Sequence, residues 1–119
     1  MGTVVAPDLR SRYPRSGRTF LGRYAWLARL ADKARAHKAG TAGDYVAYCP
    51  VSLGFLERLH IPRQDFEAFI DSGYSDEQIV REFDRRVTDT DREAANHWIL
   101  VENAADLHEQ DVEEGRASS

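Results

Sequence analysis

Apolar positions recur at helical spacing between Leu21 and Lys38, and this segment predicts one long amphipathic helix. At about 100° per residue, the recurring side chains fall on one face of a helix. They are Phe20, Tyr24, Leu27, Ala28, Ala31 and Ala34. The segment is rich in strong helix formers and contains no proline. Gly40 suits the left-handed residue that follows a helix end, so the helix should end there and organise the rest of the chain.

The opposite face of this helix mixes two large apolar residues, Trp26 and Leu30, with the cations Arg29 and Lys33. One interpretation is that a second layer of helix covers Trp26 and Leu30, because most large apolar side chains are packed in a core. The other is a ligand or partner face in which an aromatic platform stands beside two cations.

Shorter helices are predicted downstream. After an extended connector over Asp44–Cys49, Pro50 suits the first turn of a helix that runs to Leu59. Pro62 opens a third helix that ends at Ser72-Gly73, and Ser75 with Gln78 forms a capping box for a fourth. Such a hairpin of short helices is typical of interaction domains.

The last predicted helix runs from about Asp91 to about Asp111. Two caps fit its start, and the pattern favours Thr90 with Glu93 as the capping box over Thr88 with Asp91. The helix carries two apolar stripes on different faces. They are Ala94, Trp98, Val101 and Ala105, and Leu100, Ala104 and Leu107. Two interpretations are equally favoured. Either the helix is packed between neighbouring helices of the same chain, or one of its stripes pairs with a second copy of the chain in a homodimer.

These elements predict an all-α fold, a compact bundle of about five helices with an extended basic N-terminal arm. A chain of 119 residues is expected to form one domain. The expected boundaries are a partly disordered arm over 1–18, a helical domain over 19–111 and a frayed tail over 112–119. A single cysteine excludes an internal disulfide, and no apolar run has membrane length. We therefore expect a cytoplasmic protein that does not associate with membranes.

Charge is unevenly distributed along the chain. Residues 1–60 carry ten basic and four acidic residues, whereas residues 61–119 carry six basic and sixteen acidic ones. This asymmetry indicates either a basic contact surface for a partner or an attraction between the two halves inside one fold.

A basic contact surface would combine the arm, the first helix and the loop Gly40–Tyr45. Arginines can grip phosphate or carboxylate, and paired glycines can present backbone N–H groups to an anion. The candidate ligand-binding residues are Arg15, Arg18, Trp26, Arg29, Lys33, Lys38, Gly40, Thr41, Gly43 and Tyr45. Trp26 or Tyr45 would stack on the ligand. A plain turn between helices is the alternative for the glycine loop.

Cys49 is the one nucleophile for which the sequence gives a physical argument, because a helix N-terminus lowers the pKa of a thiol. Its base would be His37 or His60, and the alternative is a small buried hydrophobe. The four histidines lack the spacing of a metal site, so neither a metal nor a cofactor is predicted. Whether the protein is an enzyme stays open.

An ordered series of short motifs resembles an uncharacterised bacterial family, domain of unknown function 5069. The series is Pro14-Arg15-Ser16, Leu27-Ala28-Arg29 with Asp32–Ala36, Gly40-Thr41 to Gly43-Asp44-Tyr45, Cys49-Pro50, and Phe55-Leu56 with Leu59. The resemblance extends over roughly Asp8 to Val87, with Ala42 and Asp44 where the family tends to have leucine and glutamate. It implies a small, mostly helical bacterial domain without an assigned activity.

The sequence thus favours a non-enzymatic binding module whose ligand is a nucleotide, a nucleic acid or an acidic protein. Self-association through the last helix is the second hypothesis. An enzyme or redox sensor that depends on Cys49 is the third.

Overall fold

The computed structural model describes residues 4–118, and the regular structure in that range is entirely helical. The helices are α1 (Leu27–Ala39), α2 (Pro50–Arg58), α3 (Arg63–Asp71), α4 (Asp76–Arg86), α5 (Asp89–His97) and α6 (Ala104–Glu113). A π-helical segment, Trp98–Glu102, joins α5 to α6. The all-α class is confirmed, with six α-helices in the described range rather than about five.

The first helix begins at Leu27, six residues later than predicted. Leu21 and Tyr24 exchange two backbone hydrogen bonds in a tight turn, and Trp26 adopts the left-handed conformation with φ 70°. Tertiary hydrogen bonds hold this turn. Asn96 of α5 accepts from the backbone N–H of Ala25, and the N–H of Trp26 donates to the carbonyl of Gly17. The apolar spacing was helical, but these partners favour a turn.

Several predicted helix ends are confirmed. Gly40 follows α1 in the left-handed conformation, with φ 76°. Ser75 and Gln78 form the reciprocal capping box at the start of α4. The prediction for α5 was wrong, because Thr88 rather than Thr90 caps this helix and accepts a hydrogen bond from the N–H of Asp91.

The last predicted helix is interrupted. One α-helix was predicted over about 91–111. The backbone instead forms the wider π-helical turn after His97, and this turn ends at Asn103. Both the backbone N–H and the side-chain amide of Asn103 donate to the carbonyl of Trp98. A side chain that satisfies a helix carbonyl in this way stabilises the irregular turn.

Helix α1 lies at the centre of the core. Every residue from Tyr24 to Ala31 is buried, and both Trp26 and Leu30 are fully inaccessible to solvent. Trp26 and Leu30 are therefore packed in the core, which confirms the interpretation that this face is covered; part of the cover over Trp26 comes from Gly17 in the N-terminal segment. Edge-to-face contacts of Phe83 with Tyr24 and with Phe66 fill the space between α4, α3 and the turn that precedes α1.

The predicted basic arm is packed against the helices and does not form a separate extended element. The backbone N–H of Leu9 donates to the carbonyl of Thr41, and the hydroxyl of Thr41 donates to the carbonyl of Pro7. Arg15 pairs with Asp32 of α1 and Asp76 of α4. The disorder predicted for the first residues falls partly on residues 1–3, outside the described range.

The C-terminal segment is also packed, where a frayed tail was expected. Helix α6 continues to Glu113, and Glu114 is 8% exposed because it pairs with Arg29 of α1. Arg116 donates a hydrogen bond to the carbonyl of Pro14. Between residues 4 and 118, no helix is long and apolar enough to cross a membrane.

Candidate thiolate site

Cys49 lies at the N-terminal cap of α2, where Pro50 occupies the first helical position. Proline has no N–H, so it fits the first turn without leaving a donor unpaired, and the free backbone N–H groups of that turn give the helix start a partial positive charge beside Cys49. Cys49 is partly exposed as a residue. The sequence-based placement of this cysteine at a helix N-terminus is therefore confirmed.

Lys33 of α1 supplies a positive charge to the thiol. Its residue exposure is 4%, and its Nζ atom lies 3.6 Å from the Sγ of Cys49. Within residues 4–118, this sulfur is the one hydrogen-bond acceptor of the Lys33 ammonium. Nζ also stands 5.3 Å from the centre of the Trp26 ring, a distance at which a cation is attracted to the indole face.

Ser52 connects the sulfur to Trp26. The indole Nε1–H of Trp26 donates to the Ser52 hydroxyl at 3.0 Å, and the same hydroxyl lies 3.5 Å from the Cys49 sulfur. Because an indole nitrogen can only donate, the serine oxygen accepts from Trp26. Between Ser52 and the sulfur either atom can be the donor, since the hydroxyl keeps its own hydrogen and a second lone pair. When Ser52 donates, this hydrogen bond stabilises the deprotonated sulfur.

These contacts shift the pKa of both charged partners. Burial raises the pKa of Cys49, but the Lys33 charge, the Ser52 hydroxyl and the N–H groups of Ser52 and Val51 outweigh it, so the pKa lies below that of a free thiol. Burial lowers the pKa of Lys33, an effect that its neighbour Arg29 reinforces and that Cys49 and Glu114 oppose. The site thus favours the thiolate of Cys49, whereas burial disfavours the charged form of Lys33 and the nearby sulfur only partly offsets that effect.

The backbone of Trp26, the residue that donates to Ser52, is strained because its φ of 70° lies in the left-handed region. A bulky residue in the left-handed region costs on the order of 1–3 kcal/mol and persists only where the surroundings enforce it. The indole is wedged against Gly17, where an added Cβ would stand 2.6 Å from the Trp26 ring. The strain therefore accompanies a fixed indole that orients Ser52.

The bases predicted from the sequence do not contact the sulfur. Its side-chain partners within the described range are Lys33 and Ser52, whereas both His37 and His60 are exposed, and His60 lies 3.5 Å from Asp91. The role of Lys33 was missed because it was assigned to an anion-binding face. The available signal was that Lys33 lies about one turn after Leu30 and two turns after Trp26, on the face that one of the two interpretations covered with other helices.

Two of the cations proposed for an anion-accepting surface, Arg18 and Lys38, have partners within the chain, although their side chains are 41% and 49% exposed. Arg18 pairs with Asp111, and Lys38 donates to the carbonyls of Ile70 and Asp71. Ion pairs join the basic half to the acidic half at Arg15–Asp76, Arg18–Asp111, Arg23–Asp84, Arg29–Glu114, Arg35–Asp76 and Lys38–Asp71. The charge asymmetry therefore contributes to the association of the two halves.

The glycine loop has the geometry of a helix-to-helix turn. The N–H groups of Gly40 and Thr41 donate to carbonyls at the end of α1, and Gly43 is exposed with φ 59°. Trp26 is fully buried, so stacking of a ligand on its ring would require a rearrangement of the core.

Arg29 and Tyr45, two other predicted ligand-binding residues, meet at a cleft of about 290 Å³. Arg29 donates two hydrogen bonds to the carboxylate of Glu114, and the Tyr45 hydroxyl donates to the same carboxylate at 2.8 Å. The cleft is also lined by Tyr13, Asp44 and Glu113. Three carboxylates against one guanidinium give its lining a net negative charge, which disfavours an anion.

The stripes of the last predicted helix are only partly buried. Leu107 is buried, Trp98 packs on Gly54 of α2, and Val101 is 58% exposed. Homodimerisation through this surface stays a prediction. In the part of the chain from residue 4 to residue 118, no three His, Cys, Asp or Glu side chains are grouped as a metal site would require.

An all-helical domain with a lysine-paired cysteine is the class that the fold and the site define. The chain belongs to the family called domain of unknown function 5069, whose model matches residues 11–117. The match extends past Val87 to the C-terminal segment, so the end of the resemblance at Thr88 was placed too early. No protein with a curated description matches the chain.

Proposed function

We propose that this protein acts through the thiolate of Cys49, as a nucleophile or as a redox-responsive group. The observation that carries the proposal is the buried ammonium of Lys33, 3.6 Å from the sulfur. This reverses the order of hypotheses drawn from the sequence, in which a binding module ranked first.

A buried ammonium is costly unless a counter-charge or hydrogen bonds compensate it. Lys33 is 96% buried, and a thiolate at Cys49 is the negative partner nearest its Nζ. A cysteine that only fills space would pack equally well against leucine or methionine in place of Lys33. The pairing therefore supports a chemical role for the sulfur.

Three further features support the same role. The Ser52 hydroxyl lies beside the sulfur, the start of α2 adds the partial positive charge of a helix N-terminus, and Trp26 holds Ser52 through its indole N–H. Lowered thiol pKa, partial exposure and a nearby cation are the usual features of reactive cysteines. The substrate class that fits is a small electrophile, either a peroxide or an activated carbon centre.

The rate at which iodoacetamide labels the protein, measured from pH 5 to pH 10, tests this proposal. Cys49 is the single cysteine in the sequence, so the labelling rate reports on it alone. We expect the rate to rise through an inflection below the value of about 8.5 for a free thiol. An inflection at or above that value in the folded protein would refute the proposal.

Two matched variants separate the effect of Lys33 from that of general charge. Lys33→Met removes the ammonium and keeps a flexible apolar side chain, so the inflection should move to higher pH. Lys38→Met removes a charge from the same helix at an exposed position whose Nζ donates to α3 carbonyls. It should leave the inflection where the wild type has it.

The anion-accepting surface is less well supported, because its cations have carboxylate or carbonyl partners. It predicts that phosphate, nucleotides or short RNA raise the melting temperature at low salt and that the shift shrinks as salt is added. A flat response would leave the thiolate as the leading proposal.

A further inference from the structure

We propose that hydrogen peroxide joins Cys49 and Lys33 in a reversible sulfenamide cross-link, a covalent bond between Sγ and Nζ. This inference rests on the proposed thiolate and names its regulation. It would make the pair a switch that records oxidant exposure by tying helix α1 to the start of helix α2.

The first reason is the lack of a second thiol. An oxidised cysteine is commonly resolved by another cysteine, which yields a disulfide. This chain has one cysteine, so no internal disulfide is available. A sulfenic acid also condenses with nitrogen to form a sulfenamide. The Nζ of Lys33, 3.6 Å from the sulfur, is the nitrogen placed for that reaction.

The second reason is the confinement of Lys33. The lysine is 96% buried, and its Nζ is directed at the sulfur rather than at a carboxylate in the described part of the chain. Its four-carbon side chain is flexible enough to close the remaining gap without moving the backbone of α1. Cys49 itself is partly exposed as a residue, and the proposal requires that hydrogen peroxide, among the smallest oxidants, enters there to meet the sulfur.

The chemistry proceeds in two balanced steps. The Cys49 thiolate attacks one oxygen of hydrogen peroxide, the O–O bond breaks, and the leaving hydroxide takes a proton from the Lys33 ammonium. The products are a sulfenic acid, water and a neutral amine. The amine nitrogen then attacks the sulfenic sulfur, the S–O bond breaks, and the hydroxyl leaves with an amine proton as a second water. Sulfur is oxidised and peroxide is reduced.

Ordinary thiols reverse the cross-link. A first thiol attacks the sulfur, releases the lysine amine and leaves a mixed disulfide, which a second thiol reduces to free Cys49. The modification is therefore regulatory rather than damaging, in contrast to sulfinic and sulfonic acids, which lie further along the same oxidation series.

Mass spectrometry of the full-length protein tests the proposal. The folded protein is treated with a small excess of hydrogen peroxide, quenched with N-ethylmaleimide and weighed intact. We expect a monomer lighter than the reduced protein by two hydrogen atoms, without a maleimide adduct. Dithiothreitol should restore the reduced mass. After tryptic digestion, the peptide with Cys49 should be joined to one in which cleavage after Lys33 has failed.

Lys33→Arg distinguishes this inference from the proposed function. Arginine keeps the positive charge, but its guanidinium stays protonated and is a poor nucleophile. The variant should keep the accelerated iodoacetamide labelling of the wild type, yet gain oxygen instead of losing hydrogen when treated with peroxide. Circular dichroism verifies its fold, and the wild-type measurement stands whether or not the variant folds.

The outcomes are separable. Rapid labelling by iodoacetamide, combined with peroxide products that carry only added oxygen or an intermolecular disulfide at Cys49, would overturn the cross-link and leave the thiolate intact. Slow labelling at neutral pH would refute the proposed function, and with it the premise of the cross-link. Loss of two hydrogens with linked Lys33 and Cys49 peptides supports both.

Discussion

Gly54 of α2 lies so close to the indole of Trp98 that a Cβ added at Gly54 would stand 2.3 Å from the ring. Arg58, one turn further along α2, places its guanidinium 3.9 Å from the centre of the same ring. The indole therefore packs closely against α2, and the missing side chain of Gly54 lets the π-helical segment approach this helix.

Gly54→Ala tests this contact. Inside a helix, alanine is normally more stabilising than glycine by about 0.5–1 kcal/mol. Here we expect a net loss of stability instead, because overpacking a filled contact costs about 1–3 kcal/mol. Chemical denaturation of Gly54→Ala and of Gly54→Ala with Trp98→Leu measures the effect. If the alanine is destabilising with Trp98 present and neutral or stabilising without it, the close contact is the cause.

The ion pair between Arg29 and Glu114 should be the most costly charged contact to break. Both side chains are at least 95% buried, and two hydrogen bonds of 2.9 and 2.7 Å connect them. Glu114→Ala leaves an unpaired buried guanidinium, which costs about 3–5 kcal/mol. Urea denaturation of this variant, compared with the exposed neighbour Glu113→Ala, checks the expectation. Equal effects of the two substitutions would show that the pair contributes little.

Acid should weaken the contact that Asp76 makes with the N-terminal segment and α1. Burial raises the pKa of Asp76, but hydrogen bonds from Arg15 and Arg35 lower it further, so its folded pKa lies below the ordinary value. A carboxyl with a lowered folded pKa stabilises the fold above its unfolded pKa of about 3.9, and that stability is lost as the pH falls through the folded value.

Denaturation from pH 6 to pH 2 measures this contribution. Asp76→Asn should be less stable than the wild type at pH 6 and should lose less stability on acidification. The neighbouring exposed carboxyl variant, Glu77→Gln, serves as the control. An Asp76→Asn curve parallel to that of the wild type would contradict the assignment.

Ser52 is expected to act on the thiol from within the core. Ser52→Ala removes the hydroxyl that faces the sulfur, so the pKa of Cys49 should rise, though less than in Lys33→Met. It also leaves the buried indole N–H of Trp26 without its acceptor, at a cost of about 1–3 kcal/mol. The iodoacetamide pH profile and the denaturation midpoint report the two effects separately. If the pH profile of iodoacetamide labelling in Ser52→Ala matched that of the wild type, Ser52 would have no influence on the pKa of Cys49.

The sequence predicted well what local chemistry determines. The capping box at Ser75, the left-handed Gly40 after α1 and the place of Cys49 at a helix start all follow from neighbours within a few residues. The start of α1 could not be predicted in this way. Apolar spacing does not reveal that Asn96, far along the chain, accepts a hydrogen bond from Ala25 and holds it in a turn.

The candidate site was only half predictable for the same reason. Cys49 was recognised from its own helix, but Lys33 is 16 residues away and Trp26 is 26 residues from Ser52. Charge counts left two meanings open for the basic half, and the choice between them depends on which carboxylates fold against it. The partner of Arg29 is Glu114, 85 residues later, in a segment whose composition predicted a frayed tail.

The long separation of Arg29 from Glu114 has a consequence for how the protein is made. Synthesis runs from the N-terminus, so Arg29 emerges from the ribosome well before its carboxylate partner exists. Until Glu114 has been synthesised, burying α1 would strand an uncompensated charge in the core. Final packing around Arg29 is therefore expected only after Glu114 has been translated, and a chaperone that shields apolar helices would be most useful to the nascent chain before that point.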